Sequence, residues 1–179
     1  TDEEAKWLKR AGCRMVLYGV ESGNDEILKK IRKNTTKDEI RRGVRIAKKH
    51  GLDVLNCVML GFYWDTRESV EDTIRFAFEL NAEFTQVSAP TPLPGTDYYQ
   101  LLDDNNCFLT KEWEQHDSVH HSSVELPYLT NADLNHYLCT FYRRYYRRPR
   151  YLWMMFWRMF KTWGNFSQSI RKFSVLFTK

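Results

Sequence analysis

The sequence predicts a parallel α/β fold of barrel type, three consecutive βα units followed by a basic, aromatic helical extension. Three observations carry that prediction. Short apolar runs at 14–20, 53–61 and 83–89 alternate with segments whose apolar residues recur at helical spacing. Each run ends in a loop rich in glycine or proline. The alternation, at this spacing, calls for parallel strands joined by right-handed crossovers. Three strands by themselves leave open edges and one-sided burial, so an incomplete barrel cut from a longer chain reads better than a self-contained domain.

The elements follow in order. Thr1 caps a first helix with Glu4 as its reciprocal partner; Ala5, Leu8 and Ala11 mark its inner side and Gly12 its stop. The run 14–20 is the first strand, mostly apolar as a strand covered on both faces should be. A helix with Ile27, Leu28 and Ile31 on one face comes next. Another starts at Thr36, with Glu39 as capping partner and Ile40, Val44 and Ala47 inward, and ends at His50-Gly51. The second strand, 53–61, leads to Asp65-Thr66-Arg67-Glu68, which caps a helix carrying Val70, Ile74, Ala77 and Phe78. The third strand, 83–89, is followed by a helix over 97–102. Residues 108–129 read as irregular chain or a short hairpin. A capped helix runs from Thr130 to Tyr145, Pro149 breaks it, an aromatic helix covers 151–163, and 164–179 fray. The division is therefore a barrel segment over 1–106, a connection over 107–129 and a helical extension over 130–179.

The formal charge of +4 hides an asymmetry. From Leu134 onward there is no Asp or Glu, yet ten Lys and Arg residues lie between Arg143 and Lys179; the remainder is net acidic. This points to an acidic partner for the extension: a membrane surface, a nucleic acid or another protein. Cys13, Cys57, Cys107 and Cys139 are far apart and form no CxxC or CxxxCxxC group, against a zinc ribbon or an iron–sulfur site held wholly within this chain. No secretory signal opens the sequence. The longest apolar run, 151–160, is interrupted by Arg158 and is too short to span a bilayer, so a cytoplasmic setting with free thiols is expected.

In parallel α/β folds, ligands meet the carboxyl ends of strands, where loops converge with free backbone donors. The loops here are Gly19-Val20-Glu21-Ser22-Gly23, Met59-Leu60-Gly61-Phe62-Tyr63-Trp64-Asp65 and Thr91-Pro92-Leu93-Pro94-Gly95-Thr96. Singly, each has an ordinary explanation in turn and cap chemistry; three at the same end of adjacent strands mark a site. The series Ala11-Gly12-Cys13, the Gly19 to Gly23 loop with Ile27-Leu28, Met59-Leu60-Gly61 and the Thr91 to Thr96 loop resembles the second half of radical S-adenosylmethionine (SAM) enzymes. It is closest to the branch with an N-terminal cobalamin-binding domain. The likeness covers residues 1–105. Phe141-Tyr142-Arg143-Arg144 and Arg148-Pro149-Arg150-Tyr151 are similar to the aromatic and Arg-Pro tail of that branch.

The resemblance implies the C-terminal half of a partial (βα)6 TIM-like barrel, these strands being its last three, followed by an α-helical aromatic and basic extension. It implies a [4Fe–4S] cluster on three cysteines upstream of this chain, SAM as the molecule cleaved there to start radical chemistry, and cobalamin as a further cofactor. The implied partners are a small-molecule or lipid-like substrate, an electron donor and the upstream part of the same polypeptide. Glu21 matches the family's acceptor for the SAM ribose hydroxyls, a task suited to two carboxylate oxygens. Ser22 is a lesser candidate beside it. Lys33 would neutralise the SAM carboxylate, against the plainer reading of a favourable charge at a helix end. Gly61 would let its loop approach the adenine. Tyr63, Trp64, Thr91, Pro92 and Pro94 would form the substrate-side rim. No catalytic or metal-ligating residue is assigned in this chain, and without CxxxCxxC these residues alone are expected to be inactive. The second loop departs from the family's usual Gly-Leu-Pro-Gly-Glu-Thr: Tyr63 and Trp64 replace Pro and Gly, and supply an aromatic pair able to stack.

His116, His120 and His121 fit no defined metal-site spacing and read as a solvated loop; Cys57 reads as a small buried strand residue. Trp153, Phe156, Trp157, Phe160 and Trp163, with Arg158 and Lys161, allow peripheral contact with anionic lipid through 150–163. Packing of that face on protein is slightly favoured. Nucleic acid comes third, since no binding module is recognisable. The alternative to an enzyme is a non-catalytic membrane-surface or scaffold module on a degenerate barrel.

Overall fold

Every second residue of strand β2 (Asp53–Met59) is buried: Val54, Asn56 and Val58. That period of two gives the strand a covered face and an open one. The computed structural model describes residues 1–112 and 122–161, with side chains to Arg158. In it β2 is the middle of a three-stranded parallel sheet, between β1 (Met15–Glu21) and β3 (Phe84–Ser88). The register aligns Tyr18, Asn56 and Thr85 in one row and Gly19, Cys57 and Gln86 in the next. The Tyr18 hydroxyl donates to the Gly43 carbonyl of α3 (Lys37–Lys49) at 3.1 Å, so its row faces the helices. The other row is the open face, where Leu17 is 62% exposed. A mixed α/β fold with a parallel sheet is thus as expected.

The helices form where caps and periodicity coincide. Thr1 with Glu4 and Thr36 with Glu39 make the two expected capping boxes, opening α1 (Asp2–Arg10) and α3. On α1 only Ala5 is buried, whereas Leu8 and Ala11, expected on the inner side, are exposed. The helix is held to the α3 end by polar ties instead: Lys49 Nζ to Asp2 at 2.8 Å and Lys9 Nζ to the Gly51 carbonyl at 2.6 Å. The short α2 (Asp25–Lys30) buries Ile27 and Leu28. Helix α4 (Arg67–Leu80) is capped within the expected segment, by Thr66, with Ser69 as its reciprocal partner, while the Asp65 carboxylate is engaged in the preceding loop. Thr96 caps α5 (Asp97–Asp104). Then come α6 (Asn131–Tyr146) and α7 (Pro149–Lys161), the latter beginning on the proline whose missing N–H costs nothing in a first turn.

The chain divides into two compact units, Thr1–Phe141 and Tyr142–Lys179. In the first, Val20, Leu60, Ile74, Leu102, Leu134 and Leu138 are among the fully enclosed side chains. In the second, the Tyr151 ring lies edge-on to Tyr145 at 5.7 Å and Tyr146 at 4.9 Å. Phe108 and Val124 form an isolated antiparallel bridge. Trp113, His116, His120, His121, Trp163 and 164–179 lie outside the described residues, as do the side chains of Phe160 and Lys161. Among the described residues no helix is long and apolar enough to cross a membrane.

Candidate functional site

Glu21 sits where β1 stops being regular. The pairing with β2 slips between Gly19 and Glu21, and Glu21 takes φ +59°, the left-handed region. For a residue with a side chain that conformation costs about 1–2 kcal/mol. The slip swings the carboxylate back over Gly19. A Cβ added at Gly19 would lie 2.6 Å from Glu21 Oε1 and 3.0 Å from Lys33 Nζ, so the glycine leaves room for both. Lys33 donates to Glu21 Oε1 at 3.1 Å. The other oxygen, Oε2, is enclosed and accepts no hydrogen bond, although the side chain as a whole remains 19% exposed. A sheltered carboxylate oxygen with no donor carries a desolvation penalty of about 1–3 kcal/mol, which a ligand hydroxyl would relieve. On the same face of the sheet, burial, followed by the nearby Glu21 charge, pushes the Cys57 thiol up, so it stays protonated at neutral pH.

Ser22, one residue on, turns the opposite way. It is fully buried. Thr73 spends its proton on the Ser69 carbonyl at 3.0 Å, so the 3.1 Å contact between hydroxyls has Ser22 donating to Thr73. The Ser22 oxygen in turn accepts the Asn24 N–H at 3.1 Å. Gly23 completes this seam with α4: a Cβ there would meet the Phe76 Cβ at 2.5 Å and the Asp72 carbonyl at 2.7 Å. Within one five-residue loop, therefore, Glu21 faces outward and Ser22-Gly23 is structural.

In the second loop the organising side chain is Asp65. Its Oδ2 accepts the N–H groups of Gly61 and Phe62, both at 2.9 Å, and its Oδ1 accepts the Ser69 hydroxyl at 2.5 Å. Burial pushes its carboxyl up, and the three donors oppose that shift. The Tyr98 hydroxyl donates to the Gly61 carbonyl at 3.3 Å; burial holds that phenol well above its ordinary range. Gly61 has φ +93°, and the space a side chain would need is filled by Leu134 of α6, whose Cδ1 would stand 2.9 Å from the added Cβ. What the missing side chain admits here is a helix.

A cleft of about 560 Å³ opens between the second and third loops, the end of α2 and the start of α5, lined by Lys30, Arg32, Phe62, Trp64, Thr91 and Tyr98 among others; Glu21, Ser22, Lys33 and Gly61 are not among its lining residues. The Lys30 ammonium stands 5.7 Å from the Trp64 ring centre, and Tyr63 meets Trp64 edge-on at 5.7 Å. Of the expected rim, Trp64 and Thr91 line the cleft, while Tyr63, Pro92 and Pro94 do not. Asp65, Tyr98, Lys30 and Arg32 were not singled out from sequence. Asp65 had a visible signal, a carboxylate just before the helix cap Thr66, which was read as part of the cap.

Residues 1–77 match the model of the radical SAM superfamily. They belong to the radical SAM superfamily. Over 151 residues the chain is 34% identical to an uncharacterized methyltransferase of Pyrococcus horikoshii, a match covering 84% of this chain and 33% of that protein. It is 29% identical over 120 residues to the bacteriochlorophyllide d C-12(1)-methyltransferase of Chlorobaculum tepidum, covering 66% of this chain and 26% of the relative. With the anaerobic magnesium-protoporphyrin IX monomethyl ester cyclase of Rubrivivax gelatinosus it shares 27% over 96 residues, 54% and 17% of the two chains. The chain thus spans a third or less of the length of these relatives. The radical SAM match includes Glu21, Ser22, Lys33 and Gly61, and ends before the Thr91 to Thr96 loop.

Proposed function

We propose that this chain is the SAM-positioning part of a radical SAM enzyme. The observation that carries the reading is the Glu21 carboxylate, held out by a strained backbone, with Lys33 on one oxygen and no donor on the other. A ribose offers two hydroxyls as donors, and the enclosed Oε2 lacks one. Lys33 keeps further N–H donors after pairing with Glu21, so the ammonium also suits the SAM carboxylate.

The described residues contain no group of three His, Cys, Asp or Glu able to hold a metal, and the full sequence lacks CxxxCxxC. The cluster therefore does not fit this chain, and we place its ligands in an upstream part of the same polypeptide. A [4Fe–4S] cluster held there and reduced by an electron donor would supply the electron for SAM cleavage. What this chain does is fix the nucleoside end: Glu21 orients the ribose, Lys33 screens the carboxylate, and the loop pinned by Asp65 walls the cleft. A small-molecule or lipid-like substrate would reach the site past Trp64 and Thr91. The likeness to the cobalamin branch supports cobalamin as a further cofactor, and two of the relatives described bear the name methyltransferase, which favours methyl transfer.

The test uses the protein as its gene encodes it, with the cluster reconstituted. Glu21→Ala is expected to weaken SAM binding about tenfold or more, the loss of hydrogen bonds to a charged group, with iron content unchanged. Unaltered SAM affinity in that variant would sink the ribose assignment.

A further inference from the structure

Among the described side chains of helix α7, Trp153, Phe156 and Trp157 lie on the side where a surface helix normally carries charge. Tyr151 faces its own unit: it is 2% exposed, with the Tyr146 ring 4.9 Å away. At 100° per residue, Leu152, Trp153, Phe156 and Trp157 fall on the arc opposite Tyr151. Trp153 is 63% exposed, Trp157 51% and Phe156 47%. The rings touch one another, Trp153 stacked on Phe156 at 6.1 Å and edge-on to Trp157 at 5.6 Å, so the surface is continuous. A helix resting on a water-facing domain turns its polar face outward, and this one is inverted.

We propose that this face lies along an anionic lipid surface, with the indole rings in the boundary between headgroups and acyl chains. Charge selects the occupant. From Leu134 onward the chain has no Asp or Glu, and Arg143, Arg147 and Arg150 are exposed. Of these, Arg150 is on α7 itself, and basic residues in the same segment as an aromatic arc are what an interfacial helix uses against anionic headgroups. Pairing with a second copy through the same face would bring two such basic segments together, which like-charge repulsion opposes. The length agrees with a helix lying flat: 13 residues rise about 20 Å, short of the hydrocarbon thickness.

The experiment is flotation of the protein, as its gene encodes it, with vesicles of phosphatidylcholine alone or mixed with phosphatidylglycerol, at physiological salt. Recovery with the mixed vesicles, at least about tenfold above that with the neutral ones, is expected, together with a blue shift of tryptophan emission. The variant Trp153→Ser/Trp157→Ser should lose the binding by a similar factor while keeping its unfolding midpoint, since both rings are on the surface. No recovery with anionic vesicles overturns the proposal. So does equal recovery of the variant. A concentration-dependent dimer that the same variant abolishes would also overturn it, assigning the face to a second copy.

Discussion

Glu21 pays for its position in backbone energy, and that cost can be read out separately from its chemistry. At φ +59° a glycine is at ease and an alanine is not. Both Glu21→Gly and Glu21→Ala remove the carboxylate, so both are expected to weaken SAM binding. In urea unfolding, Glu21→Gly should nevertheless be the more stable of the two by about 1 kcal/mol. The reverse order would mean that the left-handed turn stores no strain. Gly19 offers a second probe. An alanine there collides with the Glu21 and Lys33 side-chain tips and should displace them, lowering SAM affinity about tenfold while stability changes by less than about 1 kcal/mol. Affinity equal to that of the parent would show that the pair does not need the gap. Glu21 is legible in sequence through the resemblance that the Gly19 to Gly23 motif carries, and not through its residue type, since Glu-Ser-Gly after a strand is also ordinary turn and cap chemistry. Its turn could not be seen there, since the slip in pairing depends on a strand 37 positions away (Glu21 against Val58). The same slip explains why its neighbour Ser22, equally polar, ends up sealed against α4.

Helix starts were legible because their chemistry is local: Thr36 and Glu39 sit three residues apart and need only each other. Glu39 accepts the Thr36 N–H at 2.8 Å and its hydroxyl at 3.0 Å, and those bonds, the backbone one first, hold its carboxyl below the ordinary 4.5. A folded value below the unfolded one means a contribution that is complete above the unfolded value and disappears as pH falls through the folded one. Glu39→Gln should therefore lose less stability than the parent between about pH 6 and pH 3 in parallel urea titrations. Parallel curves would show that the box adds nothing pH-dependent. Strand-to-helix seams were not legible, because close approach leaves no mark except a glycine. Gly23→Ala drives a methyl into the α4 backbone and should cost about 1–3 kcal/mol, measured as a lower midpoint of unfolding. Asp65 shows the limit most plainly. Beside Thr66 it looks like cap chemistry, yet it closes a loop through Gly61 and Phe62, and only the path of the chain distinguishes the two.

At the scale of the whole molecule, the alternation of strands and helices was enough to give the parallel sheet, but not which of its faces would be left open. Leu17 on the open face is 62% exposed, and Met15 beside it is exposed as well. Such a surface associates with others of its kind. Leu17→Thr should reduce self-association of the 179-residue chain in light scattering and leave the unfolding midpoint in place; unchanged scattering would acquit this face. The contact between Leu134 and Gly61 has a different reach. It ties a loop of the cleft to a helix 73 positions later, with Tyr98 and Arg67, which pairs with Asp133 at 2.8 Å, fastening either side. Anyone exchanging segments between relatives would be tempted to cut in the connection before α6. A chimera joined there would bring a foreign residue against Gly61, and the mouth of the cleft would inherit a hole or a clash. The workable crossover lies beyond Leu138, so that the loop travels together with the helix that props it.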